Sequence, residues 1–115
     1  MVPKVDQKVP TPEFYLVGGY LKEGTTRRDI DIVGVFDDHA FDLLFGYTHK
    51  TLMQDYKKKP RPEKLERYKT SCRVMSWALT YMFGSYVDFK WVPPSMLDYE
   101  PRVRLHIKPD VTMYL

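Results

Sequence analysis

The stretches Leu16-Val17-Gly18-Gly19 and Asp29-Ile30-Asp31-Ile32-Val33 decide how this chain is interpreted. The first has the pattern of a short apolar strand that ends in a diglycine, and the second is a strand that carries two carboxylates. Alternate residues of a strand point to the same face, so Asp29 and Asp31 are expected to project together. Because neighbouring like charges repel, this pattern indicates a site for a divalent cation and a polyphosphate rather than a strand built for stability alone.

The composition is that of one folded domain. The chain has 115 residues, of which 43% are apolar and 29% charged, enough to form a single hydrophobic core. The net charge of +3 permits contact with an anion such as a nucleotide but does not require it. Cys72 is the only cysteine, which excludes an internal disulfide and a zinc site of several thiolates, and favours a reducing compartment.

The N-terminal residues and the apolar segments bear on location. Residues 1–13 contain three prolines and little apolar content, which predicts an extended arm ahead of a single domain over residues 14–115. No signal peptide is visible in the arm. The longest mostly apolar run, Val74 to Phe83, spans ten residues, whereas a membrane helix needs about 20. We therefore expect a soluble cytoplasmic protein that makes no membrane contact.

The hydrophobic periodicity predicts an α/β (α+β) fold, with a small mixed sheet of about four strands backed by helices. Strands are predicted over Phe14–Val17, Asp29–Phe36, Tyr86–Val92 and Arg102–Lys108, the last at an edge. One helix is predicted after an N-cap at Asp37-Asp38, with a break at Gly46. A second is predicted over Glu63–Phe83, ended by Gly84. Its expected core stripe is Leu65, Tyr68, Cys72, Met75, Leu79 and Met82.

A third carboxylate occurs in the predicted strand Tyr86–Val92, where Asp88 lies between two apolar residues. If this strand lies beside the second one, Asp88 joins Asp29 and Asp31 on one face of the sheet. Each pair of carboxylates at about 4 Å would repel by about 4 kcal/mol at an effective dielectric constant of 20. Magnesium, which binds a few carboxylates together with water and phosphate oxygens, would relieve that repulsion.

These residues resemble the polymerase-β-like nucleotidyltransferase superfamily, whose pattern is a strand ending in Gly-Gly or Gly-Ser, then Asp-x-Asp, then a third acid on a later strand. Gly18, Gly19, Asp29, Asp31 and Asp88 stand at those positions. The run over residues 14–36 is similar to the head of the CCA-adding enzymes and to toxin-type nucleotidyltransferases with a GG…DID pattern. Unlike the CCA-adding type, this chain has Tyr-Leu-Lys-Glu after the glycines, and no counterpart of the helical domains of larger relatives is expected within these 115 residues.

The resemblance implies a minimal nucleotidyltransferase core that moves a nucleoside monophosphate from an NTP to a hydroxyl group of RNA, a protein or a small molecule. It implies that Asp29 and Asp31 hold two Mg²⁺ ions, and that Asp88 binds the catalytic ion and helps to deprotonate the acceptor. The nucleotide-binding residues implied by the resemblance are Gly18, Gly19, Thr25, Thr26, Arg27 and Arg28.

Two alternatives remain open from the sequence. The first is a catalytically inactive module with the same fold, which binds nucleic acid or a partner protein through a basic surface. That surface would comprise Lys57–Lys59, Arg61, Lys64, Arg67, Lys69 and Arg73, together with the basic face of the last predicted strand, which carries Arg102, Arg104, His106 and Lys108. The second is one half of a two-component system, in which a helical partner chain or a second copy supplies substrate binding. Trp77 lies off the predicted core stripe and is expected to contact either a partner or the sheet.

Overall fold

The computed structural model describes residues 11–17, 30–97 and 102–107. Four strands are present: β1 (Glu13–Val17), β2 (Ile30–Val35), β3 (Val87–Val92) and β4 (Arg102–Leu105). Three helices lie between β2 and β3: α1 (Asp38–Phe45), α2 (His49–Tyr56) and α3 (Glu63–Phe83). This mixture confirms the predicted α+β class. Of the predicted arm, residues 1–10 lie outside the described residues, and Glu13 already belongs to β1.

The sheet has the strand order β3-β2-β1-β4. β1 is antiparallel to both of its neighbours, whereas β2 and β3 are parallel. The three helices therefore form the crossover that a parallel pair requires. β4 lies at one edge, as its sequence predicts, and β3 forms the other edge.

The two faces of the sheet are covered differently. One face carries Phe14, Ile32, Phe89 and Trp91, which pack against the helices in the main core. The opposite face carries a smaller apolar cluster of Val17, Val33, Val35 and Val92, with Met96 and Leu97 packed against it. β2 is thus apolar on both faces over Ile32–Val35, which confirms its prediction as a central strand.

Local capping explains why the helical region after β2 divides in two. Asp37 is the N-cap of α1, and its side chain accepts a hydrogen bond from the Ala40 amide at 2.7 Å. Gly46 ends α1 in the left-handed conformation, at φ 68°, which glycine adopts without steric cost. Thr48 and Thr51 then form a capping box that begins α2. The predicted break at Gly46 is confirmed.

Helix α3 has the predicted bounds, with Gly84 as its C-cap at φ 70°. Five of the six residues of the predicted stripe are buried: Leu65, Tyr68, Cys72, Met75 and Leu79. The prediction is wrong for Met82, which is 56% exposed. The Thr80 hydroxyl already reaches the amide of Val87, the first residue of β3, so the last turn of α3 extends past the strand on which the stripe packs.

Among the described residues, no helix combines the length and the apolar character needed to cross a membrane.

Candidate functional site

Asp31 and Asp88 are directly paired across the parallel strands β2 and β3. Residues paired in this way project to the same face of a sheet. Ile30 and Ile32 face the helices together with Val87 and Phe89, so the two aspartates project to the opposite face. The sequence left open whether the strand with Asp88 lies beside the strand with Asp31. The structure places these two strands side by side.

The two aspartates lie in a row of residues that crosses the whole sheet. On β1 the row continues with Val17, which pairs with Asp31, and on β4 with Arg102, which pairs with Val17. Val17 is the last residue of β1, so the diglycine follows it directly in the sequence. Arg102 lies two strands from Asp31, about 10 Å at the usual strand spacing, and its guanidinium stacks 5.8 Å from the centre of the Tyr15 ring.

Several of the predicted site residues are not among those that the structure describes. These are Gly18, Gly19, Thr25, Thr26, Arg27, Arg28 and Asp29. The structure thus describes two of the three predicted metal-binding carboxylates, Asp31 and Asp88, and it brings those two together.

The accessibility and chemistry of the pair suit a hard divalent cation. Asp88 is exposed and Asp31 is half-buried, so solvent and a ligand have access from one side. Both offer carboxylate oxygens, the donors that Mg²⁺ uses, usually one or two from the protein together with water and phosphate oxygens. Within the described ranges, no three His, Cys, Asp or Glu side chains form a group able to hold a metal ion.

Asp88 also borders a groove of about 210 Å³ between α3 and the edge of β3, which we call the edge groove. Its helical wall includes Lys69, Arg73 and Trp77, and its strand wall includes Tyr86 and Lys90. The sequence predicted Asp88 and the basic character of α3 separately. It carried no signal that they border one groove, because that depends on how α3 lies against β3.

The outer edge of β3 is covered by a line of α3 side chains spaced four residues apart. The Thr80 hydroxyl accepts a hydrogen bond from the Val87 amide at 2.9 Å, and the Ser76 hydroxyl donates to the Val87 carbonyl. Further along, the Trp91 amide donates to Cys72 Sγ at 3.4 Å, and Tyr68 donates its hydroxyl proton to the Trp91 carbonyl. Side-chain groups thereby replace a neighbouring strand and hold the groove walls together.

Cys72 is the only nucleophile of its kind in the chain, and its surroundings make it unreactive. Burial raises the pKa of its thiol to about 11, although the hydrogen bond from the Trp91 amide opposes the increase. The reactive form is the thiolate, which is scarce at neutral pH with such a pKa. Cys72 therefore serves the structure, as expected for a small buried side chain.

The basic surface predicted on α3 is divided between two grooves. Lys69 and Arg73 border the edge groove. Lys64 and Arg67 border a second groove of about 610 Å³ between α1 and α3, with Leu44 and Phe45 on its other wall. At 3.6 residues per turn the two pairs lie on different sides of α3, and the packing of the helix decides which groove each side borders.

Comparison of the chain with protein-family models, with curated proteins and with solved structures finds no match.

Proposed function

We propose that this protein is a magnesium-dependent nucleotidyltransferase, which moves a nucleoside monophosphate from an NTP to a hydroxyl group and releases pyrophosphate. The observation that carries the proposal is the direct pairing of Asp31 and Asp88 on one face of the sheet. Two carboxylates held in one register offer oxygen donors that a single divalent cation can join.

In this proposal Asp31 binds metal from β2, together with Asp29 two residues earlier. Asp88 binds from β3 and accepts the proton of the attacking hydroxyl. The parallel strands hold the carboxylates in a fixed register, so little side-chain ordering is needed when a ligand arrives. The diglycine after β1 would let backbone N–H groups approach the phosphates, and Arg27 or Arg28 would bind them through paired hydrogen bonds.

The donor set fits Mg²⁺, because two carboxylates side by side match its preference for a few charged oxygens and leave room for water and substrate. When bound, the ions would neutralise charge on the phosphates and lower the pKa of the acceptor hydroxyl. Binding of the metal can be measured separately from catalysis. Titration with Mn²⁺, followed by electron paramagnetic resonance, should show tight binding to the wild type and weakened binding to Asp31→Asn and Asp88→Asn.

The activity test uses labelled ATP, GTP, CTP and UTP with Mg²⁺ and separate pools of RNA and protein. We expect the wild type to label one pool, and we expect a loss of at least about a hundredfold in Asp31→Asn and Asp88→Asn, the usual scale for removing one stabilising group from a transition state. The matched control is Asp42→Asn, which removes the same charge from the exposed surface of α1. No labelling by the wild type, or equal labelling by all variants, would refute the proposal.

A second candidate function is a catalytically inactive module that binds nucleic acid or a protein through its basic surface. It is favoured by the cations that border both grooves of α3. In that case binding should persist in a variant with both aspartates replaced by asparagine and should be lost when Lys57–Lys59 are replaced by glutamine. Binding that neither substitution alters would exclude this candidate.

A further inference from the structure

We propose that the edge groove binds a single-stranded polynucleotide and presents its terminal hydroxyl to the aspartate pair. The acceptor role rests on the transferase function proposed above, whereas binding of the strand does not depend on it. Three independent features of the groove support the proposal: its charge, its exposed aromatic rings and its position beside Asp88.

The charge of the groove suits a phosphate backbone. Lys69, Arg73 and Lys90 border it, and Asp88 is the one carboxylate among the described residues that line it. Three cations against one anion make this described part of the lining positive, and polyphosphate chains bind such a surface with release of their counterions. At the same end, Tyr56 lines the groove and the Arg61 guanidinium stacks 5.7 Å from its ring centre. The connector that follows α2 carries Lys57–Lys59, of which Lys58 forms an ion pair with Asp55.

Exposed aromatic rings occupy the other end. Trp77 is 64% exposed and Tyr86 is 56% exposed, although large rings of this kind are usually buried. Both line the groove, one from the helix and one from the residue before β3. Exposed aromatic rings beside a positive groove are the arrangement with which proteins stack the bases of single strands. A protein partner alone would explain the rings but not the cations beside them.

The two ends have a fixed order because α3 runs antiparallel to β3, with Thr80 bonded to Val87 and Cys72 bonded to Trp91. Lys69 and Lys90 therefore lie at one end, and Trp77 and Tyr86 at the other. Lys69 and Trp77 are eight residues apart in α3, which is about 12 Å along the helix axis. That length accommodates a short stretch of backbone and one stacked base.

The aromatic end is also the end nearest to the aspartates. Asp88 is the second residue of β3 and Tyr86 directly precedes the strand. Asp88 projects to the same face of the sheet as Asp31. Because β3 is an edge strand, Asp88 also borders the groove. A terminal base stacked on Trp77 and Tyr86 would therefore place its sugar close to the carboxylate that accepts the proton.

The test measures binding directly, without NTP. Single strands of about 12 nucleotides, within the range that single-strand sites cover, carry a 5′ fluorophore and are titrated with protein as oligo(U), as oligo(dT) and as a blunt duplex. Fluorescence anisotropy should show binding of a single strand and weak binding of the duplex, and the two single-strand arms show whether RNA or DNA is preferred. A base stacked on Trp77 should quench tryptophan emission on binding. The change can be assigned to Trp77, because the other tryptophan, Trp91, is fully buried.

Matched variants locate the site. We expect Trp77→Ala to weaken binding about tenfold, the usual effect of losing one stacked base, whereas Tyr81→Ala, which removes a ring that is 91% exposed one turn further along α3, should not. Lys69→Gln with Arg73→Gln should reduce the slope of log affinity against log salt by about 1.4 for two lost phosphate contacts. The control, Lys64→Gln with Arg67→Gln, removes the same charge from the same helix but from the other groove.

Each outcome decides a separate part. The proposal is overturned if the wild type binds no single strand, or if the groove variants and the control variants lose affinity equally. A wild type that only self-associates, or that binds only protein, overturns it as well. Binding is also measured in Asp31→Asn with Asp88→Asn, where it should become tighter, because Asp88 places a negative charge in the groove. The wild type is then given NTP and Mg²⁺. If the strand binds in the groove but the wild type does not extend it, the acceptor role is overturned and the strand-binding site stands.

Discussion

Asp31 on β2 lies directly opposite Asp88 on β3, on the face of the sheet away from the helices. The strands that carry them are separated in the chain by three helices, so the approach of these two carboxylates is a product of the crossover. A pair of like charges placed in one register has consequences for stability as well as for ligand binding.

Replacing one member of this pair should stabilise the metal-free protein. Asp88→Asn removes the repulsion between paired carboxylates, and because Asp88 is exposed we expect a gain of only about 0.3 kcal/mol, at the low end of cross-strand pair energies. Thermal unfolding at low salt measures the gain, which should shrink in 1 M salt as screening removes the repulsion. A variant less stable than the wild type at low salt would contradict this expectation.

Among the α3 side chains that bond to the outer edge of β3, Ser76 should contribute measurably to the stability of the protein. Its buried hydroxyl donates to the Val87 carbonyl, so Ser76→Ala leaves that carbonyl without its partner, at a cost of about 1–3 kcal/mol. Urea unfolding measures the difference. Thr70→Ala is the control, because the exposed Thr70 hydroxyl donates to the Glu66 carbonyl within the same helix; an equal loss in both variants would show that the edge contact has no special weight.

Gly34 should tolerate no side chain. A Cβ at this position would lie 2.5 Å from Cζ3 of Trp91 and 2.8 Å from Cζ of Phe89, and Trp91 is fully buried. We expect Gly34→Ala to lower the free energy of unfolding by about 2 kcal/mol, the usual scale of overpacking. Ser85→Ala at an exposed position should have no measurable effect. Equal stability of Gly34→Ala and the wild type would show that the ring has room to move.

The thiol of Cys72 should resist labelling and should weaken the protein at alkaline pH. Burial raises the pKa of this thiol in the folded protein from its ordinary value of 9.0 to about 11. The protonated thiol therefore contributes fully to the free energy of unfolding below pH 9. This contribution is lost as the pH rises toward 11, because the thiol of the unfolded chain releases its proton first. A thiol reagent at pH 8 should react slowly with folded protein and rapidly in urea. Fast reaction with the folded protein would indicate an accessible thiolate.

The hydrogen bond between Tyr47 and Asp55, of 2.6 Å, should affect the opposite end of the pH range. The hydrogen bond from the Tyr47 hydroxyl, and after it the one from Lys58, lower the pKa of Asp55 below its ordinary value of 3.8. A carboxyl with a lowered pKa stabilises the fold above its unfolded value, and this contribution is lost as the pH falls through the folded value. Tyr47→Phe should therefore flatten the decline of stability below about pH 4. An unchanged acid limb would show that another carboxyl dominates it.

Much of the local structure could be predicted from the sequence because its determinants are close together in the chain. The periodicity of α3 with Gly84 at its end, the break at Gly46 and the double-sided apolar character of β2 are local patterns, and all are confirmed. Met82 is the exception within α3. Its spacing places it on the core stripe, but the sheet ends before it, and the extent of a packing partner is not encoded in spacing.

Sequence patterns alone indicated the four strands, the break at Gly46 and the long helix Glu63–Phe83, and they marked Asp31 and Asp88 as acids within apolar strands. They carried the last strand to Lys108, whereas β4 ends at Leu105. The parallel pairing of β3 with β2, in the register that opposes these acids, is visible only in the folded chain, as is the position of α3 along the β3 edge, where it forms the groove lined by Trp77 and Lys90. Helices and strands follow from side chains a few residues apart, whereas register and groove depend on the packing of elements joined by a long crossover.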